Sequence, residues 1–329
     1  MTKGDKWFHG FVTGTLVFLL LLVFVGAIVR ASGSGLGCPD WPKCWGQLIP
    51  PWDVEQVDLD KINYERFERK AQRLGRDPAT VTPERILESF NPVHTWIEFV
   101  NRLVSLPVGF SALGAFIASF FLSVGAKRRK LIGLSFASMM NVLANAVLGA
   151  MVVYSGLRPG IISLHLALAM LLIFILVYCR REVSDKPVWP VGKALAPWVW
   201  GLLGLVMLEG IMGSQVREMT DRLARTHSGE VRSDWIWQLE QSVFYLVHRS
   251  FSWLIVLLMG LILWKARALN ILESRAKVMG LLVLSMMVMG LILAQVAIFP
   301  WVQVLHVGGA ALMVTLLCDW GLVLQRARS

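Results

Sequence analysis

The sequence predicts an all-α, polytopic membrane protein whose eight transmembrane helices form two pseudo-symmetric four-helix bundles. Three observations predict it. Of the 329 residues, 56% are hydrophobic and 16% charged, with a mean hydropathy of +0.60, too apolar for a chain that must keep a polar surface in water. Eight apolar runs are long enough to cross ~30 Å of hydrocarbon at 1.5 Å per residue. Finally, landmarks in the first four runs recur in the last four.

The runs lie at about 10–29, 99–124, 131–153, 162–179, 196–213, 242–264, 278–298 and 302–321. The first is longer than a signal-peptide apolar region and lacks a small-residue cleavage site, so it is expected to persist as a helix. It ends in Val29–Arg30, as the fifth ends in Val216–Arg217. The second and sixth open on "IEFVNRL" and "YLVHRSF", which place Asn101–Arg102 and His248–Arg249 where apolar residues are expected. The fourth and eighth open on "ISLHLALAM" and "QVLHVGGAA", with His165 and His306. Asn101 and His248 are 147 residues apart, and His165 and His306 are 141 apart. Four spans per repeat is an even number, so the halves run in the same direction, as parallel repeats. The division expected is 1–190 with a long outer loop, then 191–329.

A net charge of +10 could signal nucleic acid, but the basic positions exclude that partner. Lys3 and Lys6, "KRRK" at 127–130, Arg180 and Arg181, Lys186, Lys193, Lys265 to Lys277, Arg326 and Arg328 all fall on one side. The short opposite connections carry only Arg158. Such asymmetry places both termini in the cytoplasm of a multi-pass protein of the inner membrane, in contact with lipid. The stretch 214–240 is mixed, with Arg217, Arg222, Arg225 and Arg232 among four acids. With this topology Glu98, Asn101, His165, His248 and His306 all lie near the outer ends of their helices.

The outer loop contains "GLGCPDWPKCWG". Outside the cytoplasm, Cys38 and Cys44 can pair as a disulfide or remain redox-active, and their spacing fits neither a C-x-x-C motif nor a metal cage. Within 53–90, Thr82 can cap a short helix that begins at Pro83, and the segment is either a lid or a solvated decoration.

Intramembrane histidines are costly enough to point to function, although some only bond to neighbouring helices. His248 and His306, on two helices of one bundle at one depth, suit the axial positions of a haem iron. Arg30, Arg102, Arg217 and Arg249 could pair with haem propionates or snorkel to lipid headgroups. The first half keeps His165 but offers Asn101, a poor iron ligand, with Glu98 on the same helix face. A carboxylate there suits proton transfer or a structural pair with an arginine. Glu209 is expected to pair with Arg217 or Arg249. His9, His94 and His227 read as solvated, although His94 is one helical turn from Glu98.

Taken together, "VRASGSGLGCPDWPKCWG", the Glu-x-x-Asn-Arg opening, "LGAMVVYSGL…LH", "GSQVRE" and the later "HR" resemble the haem A synthase family over nearly the whole chain except 53–92. The resemblance implies two similar four-helix bundles and oxidation of the C8 methyl of haem O to a formyl group, through an alcohol and a hydrated aldehyde, giving haem A for terminal oxidases. It implies a haem B cofactor between His248 and His306. It also implies a haem O substrate site with His165 as ligand, Glu98 in catalysis, and haem O synthase and oxidase subunits as partners. Asn101 stands where many members carry histidine, so a bis-histidine substrate site does not carry over. Competing readings are a non-catalytic haem-binding oxidase assembly factor, a diheme electron carrier and a repeat-built transporter. Homo-oligomerisation stays open.

Overall fold

A computed structural model describes residues 1–73, 77–155, 160–184, 193–227, 229–269 and 274–325. Arg158, Lys186, Arg326, Arg328, the side chain of Arg225 and the 190/191 boundary lie outside the described residues.

The first span, α1 (Lys3–Ala31), starts at a capping box. The Thr2 hydroxyl accepts from the Asp5 N–H, and the Asp5 carboxylate accepts from the Thr2 N–H, satisfying donors that a helix start leaves bare. Asp5 also accepts from the Ser123 N–H and hydroxyl, tying this end to the next span. The long loop expected on the outer side follows, with short helices α2 (Tyr64–Arg73) and α3 (Pro83–Glu88). As expected, Thr82 caps α3 and Pro83 begins it.

Next come α4 (Pro92–Ser119), α5 (Arg128–Tyr154) and α6 (Ile161–Val183). Helix α4 begins seven residues before the apolar run, because Asn91 caps it and Pro92 takes its first position. Glu98 and Arg102 therefore lie on one face of one helix. In the second half, α7 (Ala196–Thr226) is followed by a short α8 (Arg232–Glu240), α9 (Val243–Ala268), α10 (Ser274–Gln295) and α11 (Pro300–Gln325). Helix α7 continues thirteen residues beyond the expected end at 213. At 31 residues it is about 46 Å long and outruns the hydrocarbon core. Eight of these helices are long and apolar enough to cross a membrane, and the chain is a multi-pass membrane protein.

In the first half, α1 packs on α4, α4 on α5, α5 on α6 and α6 on α1. In the second, α7 packs on α9, α9 on α10, α10 on α11 and α11 on α7. The halves meet where α11 packs on α1 and α6, and α6 on α7. Apolar side chains fill this seam, among them Leu172, Leu176, Leu202, Val314 and Leu317. Near its basic end, Arg181 of α6 pairs with Asp319 of α11 through two charge-assisted hydrogen bonds, a fork that satisfies both groups where water is scarce.

Candidate functional site

In the first half the outer loop is seated directly on α4. Cys38 and Cys44 are disulfide-bonded and fully buried under Trp45, Val57, Ile62 and Ile86. Arg102 holds this loop. Its Nη1 donates to the carbonyls of Asp40 and Lys43, both at 2.8 Å, and its Nη2 donates to Cys38 O. The same Nη2 donates to Glu98 Oε1 at 2.6 Å, and Glu98 Oε2 accepts the Cys38 N–H at 2.9 Å. Glu98 is 4% exposed. Of the two readings open for Glu98, the arginine pair is thus present. The carboxylate lies beneath the loop.

Asn101 points at α1, with its Oδ1 3.7 Å from where a Cβ on Gly26 would stand. That oxygen is buried without a hydrogen-bond partner. His165 lies against Gly149 of α5, its Cε1 4.0 Å from the equivalent point, and its Nδ1 is also buried and unpartnered.

The second half repeats this arrangement. His248 of α9 faces Gly213 of α7, with Cε1 3.1 Å from the built Cβ, and His306 of α11 faces Gly290 of α10 at 3.6 Å. His248 lies within electrostatic reach of His306, and both Nδ1 atoms are buried without hydrogen-bonding geometry. Each of the four site residues thus rests over a glycine on the preceding span. The glycine leaves room for the ring or amide, which a side chain would displace.

The residues four before those glycines differ. The backbone of Asn145 acts on the His165 ring and that of Met286 on the His306 ring. Opposite His248 stands the Glu209 carboxylate, with Oε1 3.1 Å from Nδ1. Ser252 donates its hydroxyl to the same Oε1, while Oε2 is buried and unpartnered. Glu209 therefore pairs with His248 and Ser252, not with Arg217 or Arg249, because its position on α7 faces the groove taken by α9.

The rim arginines divide. Arg30 and Arg217 converge on Asp221, at 3.3 and 2.8 Å, which joins the C-terminal ends of α1 and α7. Arg217 Nε remains buried and unpartnered. Arg249 is exposed, 5.9 Å from the Tyr245 ring. The Tyr245 side chain, at the place of Glu98 in the repeat, packs with Leu223, Trp235 and Leu239 in an apolar cap over the second half. His94 is half-buried in the first turn of α4. His227, expected in solvent, is half-buried against Trp235, with Nδ1 3.0 Å from Leu223 O, because α7 carries it under α8. Sequence reasoning missed Asp221 and the glycines. Asp221 was one turn from Arg217, a signal hidden by ending the fifth span at 213.

The donor set fits haem. Imidazoles set over glycine clearings on the helices of one bundle are what an iron macrocycle requires of a bundle.

Residues 9–318 match the sequence model of the COX15-CtaA family, described as cytochrome oxidase assembly protein. Among curated relatives, a protein named Heme A synthase from Shewanella oneidensis is 26% identical over 203 residues, 60% of this chain and 54% of that relative. One from Bartonella quintana is 26% identical over 244 residues, covering 71% and 62%. One from Methylorubrum extorquens strain PA1 is 28% identical over 222 residues, covering 63% and 54%. The matched stretches thus span little more than half to three fifths of these relatives' lengths.

Proposed function

The chain belongs to the COX15-CtaA family of cytochrome oxidase assembly proteins, and from that premise we propose that it works as a haem A synthase, oxidising the C8 methyl of haem O to a formyl group. The observation that carries the proposal is the inequality of two similarly built sites. One has a pair of imidazoles, His248 and His306. The other has one imidazole, His165, an amide at Asn101 and a buried carboxylate at Glu98.

In this reading the half up to 190 takes haem O and the half from 191 holds haem B, with the outer ends of the helices facing away from the cytoplasm. Bound at these sites, the haem irons supply the redox chemistry. The protein's part is positioning and proton handling. His248 and His306 would hold the resident haem. His165 would supply one strong ligand to the substrate, and Asn101, a poor iron ligand, would grip it weakly, so that haem O can enter and haem A leave. Glu98 accepts the proton released as the methyl is oxidised, a general-base role. Arg102 and the Cys38 N–H keep its carboxylate aimed. Arg30, Arg217 and Arg249 form a cationic rim suited to propionates. Haem O synthase as supplier and a terminal oxidase as recipient follow from the same chemistry.

Glu98→Gln tests this directly, because it preserves shape and removes the base. Purified variant should retain wild-type haem content and lose product formation by about 100-fold or more. Wild-type rates of haem A formation would leave Glu98 as a clamp for the loop and nothing else.

A further inference from the structure

Three sites in this chain share one design, in which an imidazole rests over a glycine and its ring faces the residue four positions earlier. At His165 and His306 that residue presents its backbone, from Asn145 and Met286. At His248 it presents a carboxylate, Glu209, 3.1 Å from Nδ1. At the fourth site the residue four before Gly26 is Leu22, which carries no charge. Among the described residues, His248 is the one of these three imidazoles with a carboxylate opposite its ring. The side chain of Glu209 is 14% exposed, and desolvating a carboxylate there is expensive without a purpose.

We propose that Glu209 is a positioning residue for the resident haem: its carboxylate takes the Nδ1–H of His248, directing Nε2 to the iron and making that imidazole the stronger donor of the axial pair. The inference rests on the haem-binding reading above. Ser252 donates to the same oxygen and keeps the carboxylate turned toward α9. The separation of 3.1 Å is of hydrogen-bond length. A carboxylate partner raises the basicity of a ligating histidine, and a stronger axial donor favours ferric over ferrous iron. Glu209 thereby distinguishes a ligand built to stay from the first half, where the equivalent sequence position is the uncharged Leu22.

The test is a spectroscopic redox titration of the purified full chain carrying its low-spin haem, with product formation measured separately. Glu209→Gln should retain haem and favour reduction by about tenfold, which is ~59 mV upward for one electron. Glu209→Asp, which keeps the charge, should return the potential toward wild type. A haem-loaded Glu209→Gln protein with an unchanged potential overturns the inference while leaving the enzymatic reading intact. If neither variant folds, ¹⁵N hyperfine spectra of wild-type ferric haem decide. One imidazolate-like and one neutral ligand supports the inference, and two equivalent neutral imidazoles overturns it. A wild-type protein without histidine-ligated haem would remove this inference and the functional reading together.

Discussion

Gly213 and His248 show how closely the site depends on single atoms. A methyl on Gly213 would stand 3.1 Å from His248 Cε1, closer than carbon atoms pack comfortably. The ring must then shift or the helices part. On Gly290 the same methyl would meet His306 Cε1 at 3.6 Å, an ordinary contact. Gly213→Ala should therefore cut low-spin haem occupancy about tenfold, the effect typical of disturbing a ligand's support, while Gly290→Ala stays near wild type. Haem absorbance per protein checks both. At this scale the histidines were legible, since an imidazole in an apolar helix announces its cost. Their supports were not. Nothing in the local pattern says that Glu209 turns toward α9 rather than toward Arg217, because that depends on the rotation of α7 against its neighbour. Glycines 26, 149, 213 and 290 are unremarkable among the 28 glycines of the chain until the packing shows what each one faces.

Among the elements, the join between the outer loop and α4 carries the most consequence. Gly37 approaches the start of α4 so closely that a Cβ would lie 2.4 Å from His94 O. Trp45 Nε1 donates to Gly37 O and Thr95 Oγ1. Arg102 then closes the loop from below. Removing it as Arg102→Ala leaves three carbonyls without their donor and Glu98 without its counter-charge, a loss of about 3 kcal/mol for breaking a largely buried pair. Trypsin should then cut after Lys43, which is exposed, markedly faster than in wild type. Arg102→Lys should not restore protection, since an ammonium cannot reproduce the fork that spans three carbonyls and a carboxylate. Equal cleavage rates in wild type and Arg102→Ala would show that the loop is held by its apolar cluster alone. Short helices such as α3 could be foreseen from Thr82 and Pro83, because capping is local chemistry. The true start of α4 and the length of α7 were hidden. Hydropathy marks where a helix meets lipid, whereas Asn91–Pro92 and the Arg217–Asp221 pair mark where it ends.

For the whole molecule, the repeat was the strongest signal in the sequence, since Asn101, His165, His248 and His306 keep their order and near-constant spacing. The folded chain adds that each of the four faces a glycine and that both halves use the same order of helix neighbours. Two sites built alike but armed differently are what a reaction on one haem beside a second, permanent haem would need. That is the central claim, and the most direct test is to extract and chromatograph the haems from membranes containing this protein together with a haem O synthase, in a host that makes no haem A. The account predicts haem A, or its hydroxylated intermediate, in those membranes and its absence with Glu98→Gln. Haem B and haem O alone, from protein shown to be folded and haem-loaded, would contradict it.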